Sequence, residues 1–262
     1  MRVAVAGREV YAYTGARPFD PARPTLLFVH GAANDHSVFA LQSRYFAHHG
    51  RSVLALDLPG HGRSAGAALA SVEAIADWLV SVFDAIGAPR AAIVGHSLGS
   101  LAALECAARY GDRVTRLALL APAVPMPVSE ELLHAAAHDE PLAYALVNGW
   151  SYSAGKQLGG NTMPGVWLMG NALRLMERTP SGVLSTDLVA CNAYANGISA
   201  AKAVRCPTLV LLGARDIMAP AKSAAALIAL LANVQSRTLP DTGHALMAEQ
   251  PDAVLDALRA FL

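Results

Sequence analysis

Two rhythms of apolar residues alternate along this chain. Short, nearly unbroken apolar runs recur at 25–30, 52–56, 91–94, 114–120 and 208–212, and a further strand is expected at 234–239. Runs of that length, bounded by turn residues, suit strands buried on both faces. Between them, apolar positions recur three or four residues apart. Val38, Leu41, Tyr45 and Phe46 form one such stripe, closed by Gly50. Val72, Ile75, Leu79, Phe83 and Ile86 form another, with Ser71 placed to cap its start and Gly87 to stop it. An Ala/Leu-rich helix is predicted over 101–110, ending near Gly111, with further helices near 223–231 and from Pro251 onward. At the start, 3–5 and 10–13 flank Gly7-Arg8, so a hairpin opens the chain. Strands alternating with helices predict an α/β fold. Its core is a mostly parallel, doubly wound sheet of about eight strands, covered on both faces.

The alternation breaks after Ala121 and resumes at Pro207. The intervening segment, roughly 85 residues, is too long for a plain loop. It carries amphipathic stretches at 130–137 and 166–178, with a glycine-rich polar stretch at 155–165 between them. The expected organisation is a core of residues 1–121 and 207–262 with a helical cap, 122–206, inserted into it.

Gly95-His96-Ser97-Leu98-Gly99 follows the run at 91–94 directly and precedes the helix at 101–110. Strand, sharp turn with serine at its apex, then helix is the layout of a nucleophile elbow. A strained serine backbone and close passage of neighbouring chain explain a glycine at each flank. The helix start then offers backbone N–H groups to an oxyanion. Asp216 lies just after the run at 208–212, and His244 just after 234–239. A serine hydroxyl needs a base, and the base needs an orienting acid. Asp241 is a rival acid, and its place in a turn beside His244 favours a turn-forming role.

The order Ser, Asp, His, each after a strand, resembles the α/β-hydrolase superfamily. So do several neighbourhoods. His30-Gly31-Ala32 is similar to the His-Gly opening of the oxyanion loop. Asp57-Leu58-Pro59-Gly60-His61-Gly62-Arg63-Ser64 is similar to a turn-rich loop of the superfamily. Gly213 to Pro220 is similar to its acid loop, and Gly243-His244 with Glu249 and Pro251 to its histidine neighbourhood. The resemblance covers 25–121 and 208–262, and barely the cap. It implies a serine nucleophile Ser97, a base His244 and an acid Asp216. The oxyanion donors would be the backbone N–H groups of Leu98 and of Ala32, with Ala33 as the alternative for the second. His30 and His96 are expected to pack or orient.

The implied activity is hydrolysis of a small carboxylic ester or lactone through an acyl-enzyme, with no cofactor and no metal. A carbon–carbon hydrolase of ring-cleavage diketones uses the same triad, though such enzymes typically carry more glycine where Ala32-Ala33 stand. A cofactor-free perhydrolase usually has Met where Leu98 stands. Haloalkane dehalogenases and epoxide hydrolases would carry Asp in place of Ser97. A ligand-binding sensor on the same fold is the alternative of another class. Fold alone does not choose between sensor and enzyme.

In the cap, Trp150, Tyr152, Met163 and Trp167, with Met169 and Tyr194, are candidates to line an apolar pocket over Ser97 or to form cap core. Lys156 and Asn161 are polar candidates for the same pocket. His134 and His138 stand four apart, but Ala135 occupies the place where a metalloprotease helix needs Glu, so a solvated helix is expected.

Bulk properties exclude several classes. Lys and Arg number 20 and Asp and Glu 20, for a net charge of zero, so nothing favours nucleic acid or an anionic membrane as partner. Hydrophobic residues are 54% and charged residues 15%, a globular composition. Cys106, Cys191 and Cys206 are odd in number and lack zinc or disulfide spacing. No apolar stretch reaches membrane-spanning length, the nearest being broken by Pro122, Pro125 and Pro127. Residues 1–5 resemble a strand and not a signal peptide. A soluble cytoplasmic enzyme with a small-molecule substrate is expected; its oligomeric state has no mark in the sequence.

Overall fold

A computed structural model of the chain describes residues 1–160 and 165–262. Eight strands form one sheet: β1 Arg2–Val5, β2 Arg8–Tyr13, β3 Thr25–Val29, β4 Ser52–Leu56, β5 Ala91–His96, β6 Val114–Leu120, β7 Thr208–Gly213 and β8 Val234–Leu239. Their spatial order is β1-β2-β4-β3-β5-β6-β7-β8. The opening hairpin is antiparallel, β2 meets β4 antiparallel, and every later pairing is parallel.

Twelve α-helices are found among the described residues. They are α1 Ala40–His48, α2 Val72–Ala85, α3 Leu98–Arg109, α4 Glu130–His138, α5 Glu140–Ser151, α6 Ala154–Gln157, α7 Leu168–Met176, α8 Val183–Ala193, α9 Gly197–Ala203, α10 Ala225–Leu230, α11 Leu246–Glu249 and α12 Pro251–Phe261. Ser71 caps α2 as its position predicts, its Oγ accepting from the Ala74 N–H at 3.1 Å. Leu41 departs from the expected stripe: it is half-exposed, while Gln42 turns inward and donates to the Pro251 carbonyl.

The period-2 alternation of strand side chains sorts the core into two layers. Leu27, Val29, Leu54, Leu56, Ile93 and Leu119 face α2 and α3. Leu26, Phe28, Val53, Val94, Leu120 and Leu211 face Phe46 of α1 and Val254, Leu258 and Phe261 of α12. Strands buried on both faces therefore read as continuous apolar runs.

Between β6 and β7 the chain forms α4 to α9, four more helices than the two amphipathic stretches predict. Leu132, Ala135, Ala136, Ala143, Tyr144, Met176, Leu184 and Leu188 join into a separate small core. The end of the segment behaves differently. Cys191, Tyr194, Ala200, Ala201 and Val204 pack into the main core, with α9 against α3. By packing, α9 belongs to the layer covering the sheet.

Candidate active site

The turn between β5 and α3 holds Ser97 at φ 52°, ψ −119°, a left-handed conformation that ordinary residues resist. Both flanking glycines are required by contact. A Cβ on Gly95 would stand 2.2 Å from the Gly99 carbonyl oxygen, and one on Gly99 2.3 Å from that of Val29. The elbow expected from the sequence is therefore formed, with the start of α3 pressed onto the end of β3. Leu98 is the first residue of α3, where backbone amides have no intrahelical acceptor.

His244 Nδ1 lies 2.8 Å from Asp216 Oδ2, and both side chains are buried. Asp216 Oδ1 accepts from the N–H groups of Met218 and Ala219, at 2.9 and 2.8 Å. A carboxylate so supplied with donors is held in one orientation. It draws the imidazole proton to Nδ1 and leaves Nε2 as a lone pair. Asp241 is elsewhere: it sits in an exposed turn at φ 50°, 3.6 Å from Arg215.

Two further histidines are fixed neutral. His96 Nε2 donates to the His244 carbonyl at 2.9 Å, while its buried Nδ1 has no partner. Burial, and then the neighbouring His244, push the His96 pKa down to about 3. His30 Nδ1 donates to the Gly31 carbonyl at 2.8 Å, and its Nε2 accepts from the Leu58 N–H at 3.1 Å. Burial, then the charge of His61, lower its pKa to about 3.

The loop after β3 forms a turn closed by Asn34 N–H donating to the Gly31 carbonyl. Ala33 N–H donates to Asp187 Oδ2 at 2.9 Å, so that amide is committed. Ala32 N–H meets no acceptor among the described residues, and Ala32 lines the cavity beside Ser97. Of the two alanines, Ala32 is the one with a donor to spare.

A cavity of about 640 Å³ opens over these groups, lined by Ser97, His96, His244, Ala32 and residues of α5, α7 and α8. Of the aromatic candidates for pocket or cap core, Trp150 and Tyr152 line it. Trp167 does not: it is 70% exposed, because Gly170 lies against its ring and seats it on the outer face of α7. Tyr194 is core, its hydroxyl donating to Glu105 Oε2. Met169 is absent from the lining, and Lys156 Nζ donates to the Gly160 carbonyl. Met163 and Asn161 lie outside the described residues. Met126, Leu132, Leu168, Leu175 and Leu188 are lining residues that the sequence did not single out, since their apolar spacing is that of any packed helix.

Two anchors also went unread. Glu249 Oε1 accepts from Gly243 N–H, and its Oε2 from Ser153 Oγ at 2.5 Å, joining the His244 loop to the end of α5. Asp187 accepts from His61 as well as from Ala33. The rings of His134 and His138 lie 4.7 Å apart on α4, tilted by 54°, and neither residue lines the cavity. Among the described residues, Asp35, His36 and Asp57 are the one group spaced to hold a metal. Their carboxylates already accept from the N–H groups of Ser37, His36 and Arg63, which shapes the two loops.

A buried Asp–His pair after β7 and β8, beside a serine elbow after β5 of a mostly parallel sheet, is the architecture of the α/β-hydrolase fold. The sequence profile of the alpha/beta hydrolase family matches residues 26–257, and the chain belongs to that family. It is 30% identical over 234 residues to a pimeloyl-[acyl-carrier protein] methyl ester esterase of Chromobacterium violaceum, covering 85% of this chain and 87% of that protein. It is 25% identical to an sn-1-specific diacylglycerol lipase of Mus musculus, over 93% of this chain and 82% of that one. Among solved structures, the enol-lactonase from Burkholderia xenovorans LB400 superimposes with a TM-score of 0.88 at 22% identity, covering 100% of this chain and 99% of that one. No described helix is long and apolar enough to cross a membrane.

Proposed function

We propose that this protein is a serine hydrolase of carboxylic esters or lactones, working through an acyl-enzyme on Ser97. The observation that carries the reading is the Asp216–His244 hydrogen bond, with His244 and Ser97 on the wall of one cavity. Ser97 Oγ attacks the ester carbonyl and passes its proton to His244 Nε2. Asp216 stabilises the resulting imidazolium. The N–H groups of Leu98 and Ala32 receive the oxyanion. The imidazolium returns the proton to the leaving alkoxide. Water, deprotonated by His244, then attacks the acyl-enzyme, and collapse of the second tetrahedral intermediate expels Ser97 Oγ, which recovers its proton as the acid leaves. A lactone follows the same steps with the alcohol still tethered.

The helical segment between β6 and β7 is proposed as the cap that sets specificity, since it supplies more than half of the residues lining the cavity. Apart from imidazoles, the charged side chains on that wall are Arg174 and Arg178. A largely apolar cavity whose polar lining includes Asn148 and Asn171 beside two arginines favours an uncharged or anionic ester. The esterase relative from Chromobacterium supports the ester class.

The test is turnover of a chain-length series of p-nitrophenyl esters by the wild type and by Ser97→Ala. Many turnovers in the wild type and none in the variant are expected, with unchanged thermal unfolding. Asp216→Asn should lose at least about 100-fold more of kcat than Asp241→Asn, by analogy with loss of the orienting acid in other triads. Ester turnover retained by a folded Ser97→Ala protein refutes the mechanism. A folded wild type inert towards every ester moves the reading to a carbon–carbon hydrolase or a sensor, with ring-cleavage diketones the next compounds to assay.

A further inference from the structure

Asp187 sits in α8, within the segment proposed as the cap, and is 1% exposed. A carboxylate buried so deeply requires donors or a countercharge. It has both. Its Oδ2 accepts from Ala33 N–H at 2.9 Å and from His61 Nε2 at 2.9 Å. His61 Nδ1 faces the Pro59 carbonyl at 3.0 Å. Both ring nitrogens face acceptors, an arrangement that favours the doubly donating imidazolium. Burial opposes that charge, but the hydrogen bond and charge of Asp187, then Pro59 and Asp57, outweigh it and raise the His61 pKa.

The same few ångströms hold the oxyanion loop. Ala33 has φ 50°, which costs an alanine about 1–2 kcal/mol unless its surroundings fix it. Its N–H is fixed by Asp187. The other end of that peptide, the Ala32 carbonyl, accepts from Asn34 Nδ2 at 3.0 Å, and the Ala33 carbonyl accepts from Thr179 Oγ1 at 3.3 Å. The Ala33 methyl is buried in the cap's own apolar cluster. Two of these four restraints, Asp187 and Thr179, are hydrogen bonds from the cap segment, and the apolar cluster is a third.

We infer that Asp187, backed by His61, is a positioning residue for the oxyanion donor, so that seating α8 on the core is what aims Ala32 N–H into the cavity. The inference rests on the assignment of Ala32 as a donor under the proposed function. It makes the cap a working part of the oxyanion site as well as a wall. A tetrahedral intermediate forms with full stabilisation only while the cap is docked.

The experiment compares Asp187→Ala, Asp187→Asn and Thr179→Val with the wild type on one p-nitrophenyl ester, and measures the affinity of each for an aryl trifluoromethyl ketone. That ketone adds to Ser97 and places an oxyanion in the same site. Removing one oxyanion donor typically costs about 100–1000-fold in rate. A donor that is misaimed, and not removed, should cost about 10–100-fold. Asp187→Ala is expected to lower kcat by that amount, change KM less than about threefold, and weaken the ketone in parallel with kcat/KM. Asp187→Asn keeps an oxygen acceptor for Ala33 and should recover to within about fivefold of wild type. Thr179→Val, which leaves the core intact, should cost a few-fold in kcat and in ketone affinity. Undiminished kcat and ketone affinity in a folded Asp187→Ala overturns the inference while leaving the serine mechanism standing. Should that variant not fold, unchanged kcat and ketone affinity in Thr179→Val overturn it equally. A wild type without Ser97-dependent turnover defeats the functional reading itself, and this inference with it.

Discussion

Four histidines surround the elbow, and their hydrogen bonds place their protons differently. His30 and His96 each have one nitrogen facing a carbonyl and are neutral, with pKa values lowered to about 3. His61 lies between a carbonyl and a carboxylate, which favour its charged form and raise its pKa. His244 carries its proton on Nδ1 towards Asp216. The distinction has a thermodynamic consequence through proton linkage. An imidazole released by unfolding titrates near its ordinary 6.5, so His30 and His96 each take up a proton on unfolding at any pH between about 6.5 and 3. Their contribution is complete above pH 6.5 and is lost as pH falls. His61 runs the other way, since its raised value makes its contribution complete below 6.5 and lost as pH rises through the folded-state pKa. From about pH 6 to 5, His30 and His96 should therefore make the unfolding free energy fall with a slope approaching two protons, about 2.7 kcal/mol per pH unit, offset in part by Glu249, whose carboxyl pKa burial raises. His96→Gln, whose amide can still donate to the His244 carbonyl, should remove about half of that slope. Urea unfolding at a series of pH values measures it, and an unchanged slope in the variant would mean that His96 is charged in the fold.

At the scale of elements, the site depends on how closely backbone approaches backbone. α3 begins against the carbonyl ends of β3, and the acid loop after β7 begins against the histidine loop after β8. A Cβ on Gly99 would stand 2.3 Å from the Val29 oxygen, and one on Gly213 2.2 Å from the Gly243 oxygen. Neither obstacle is a side chain that can swing away. In an ordinary helix, Gly→Ala stabilises by up to about 1 kcal/mol. Gly149 in α5 is such a position, with nothing within 4 Å of the added carbon. Gly149→Ala should therefore raise the unfolding midpoint. Gly99→Ala, also helical, should instead destabilise by about 1–3 kcal/mol as the elbow is pushed off β3, and Gly213→Ala by a similar amount. Chemical denaturation of the three variants decides the matter. A neutral Gly99→Ala would show that the helix start can shift freely, which a preorganised oxyanion site could not allow.

Over the whole molecule, what the sequence disclosed followed how each segment is buried. The parallel strands β3 to β7 were legible because burial on both faces leaves continuous apolar runs, and the candidates Ser97 and Asp216 because each follows such a run. In contrast β8, Val234-Gln235-Ser236-Arg237-Thr238-Leu239 with its middle exposed, marks His244 by position alone. The segment between β6 and β7 was legible only where one face is wet. α8 turns Leu184 and Leu188 into the cap cluster while Ala190 and Cys191 enter the main core, so apolar residues surround it and leave no stripe to read. Asp187 within it resembles any solvated helical acid until the fold brings Ala33 and His61 to it. α9 is short and made of small residues, and it gave no signal either. This division of burial also predicts unequal stability. The helices α4, α5 and α7 share a small cluster of their own, whereas α9 is packed on α3 in the layer over the sheet. Regions with few buried apolar contacts open at less than the global unfolding free energy. In native-state hydrogen exchange, amides of α4 and α5 should therefore exchange through an opening that costs less than global unfolding. Amides of α9 should exchange only with those of β6, although both helices belong to the same insertion. Equal protection of α4, α9 and β6 would make the chain one cooperative unit, and the cap could then not open without unfolding the sheet. Low protection extending through α9 would make the whole insertion, 122–206, the mobile body.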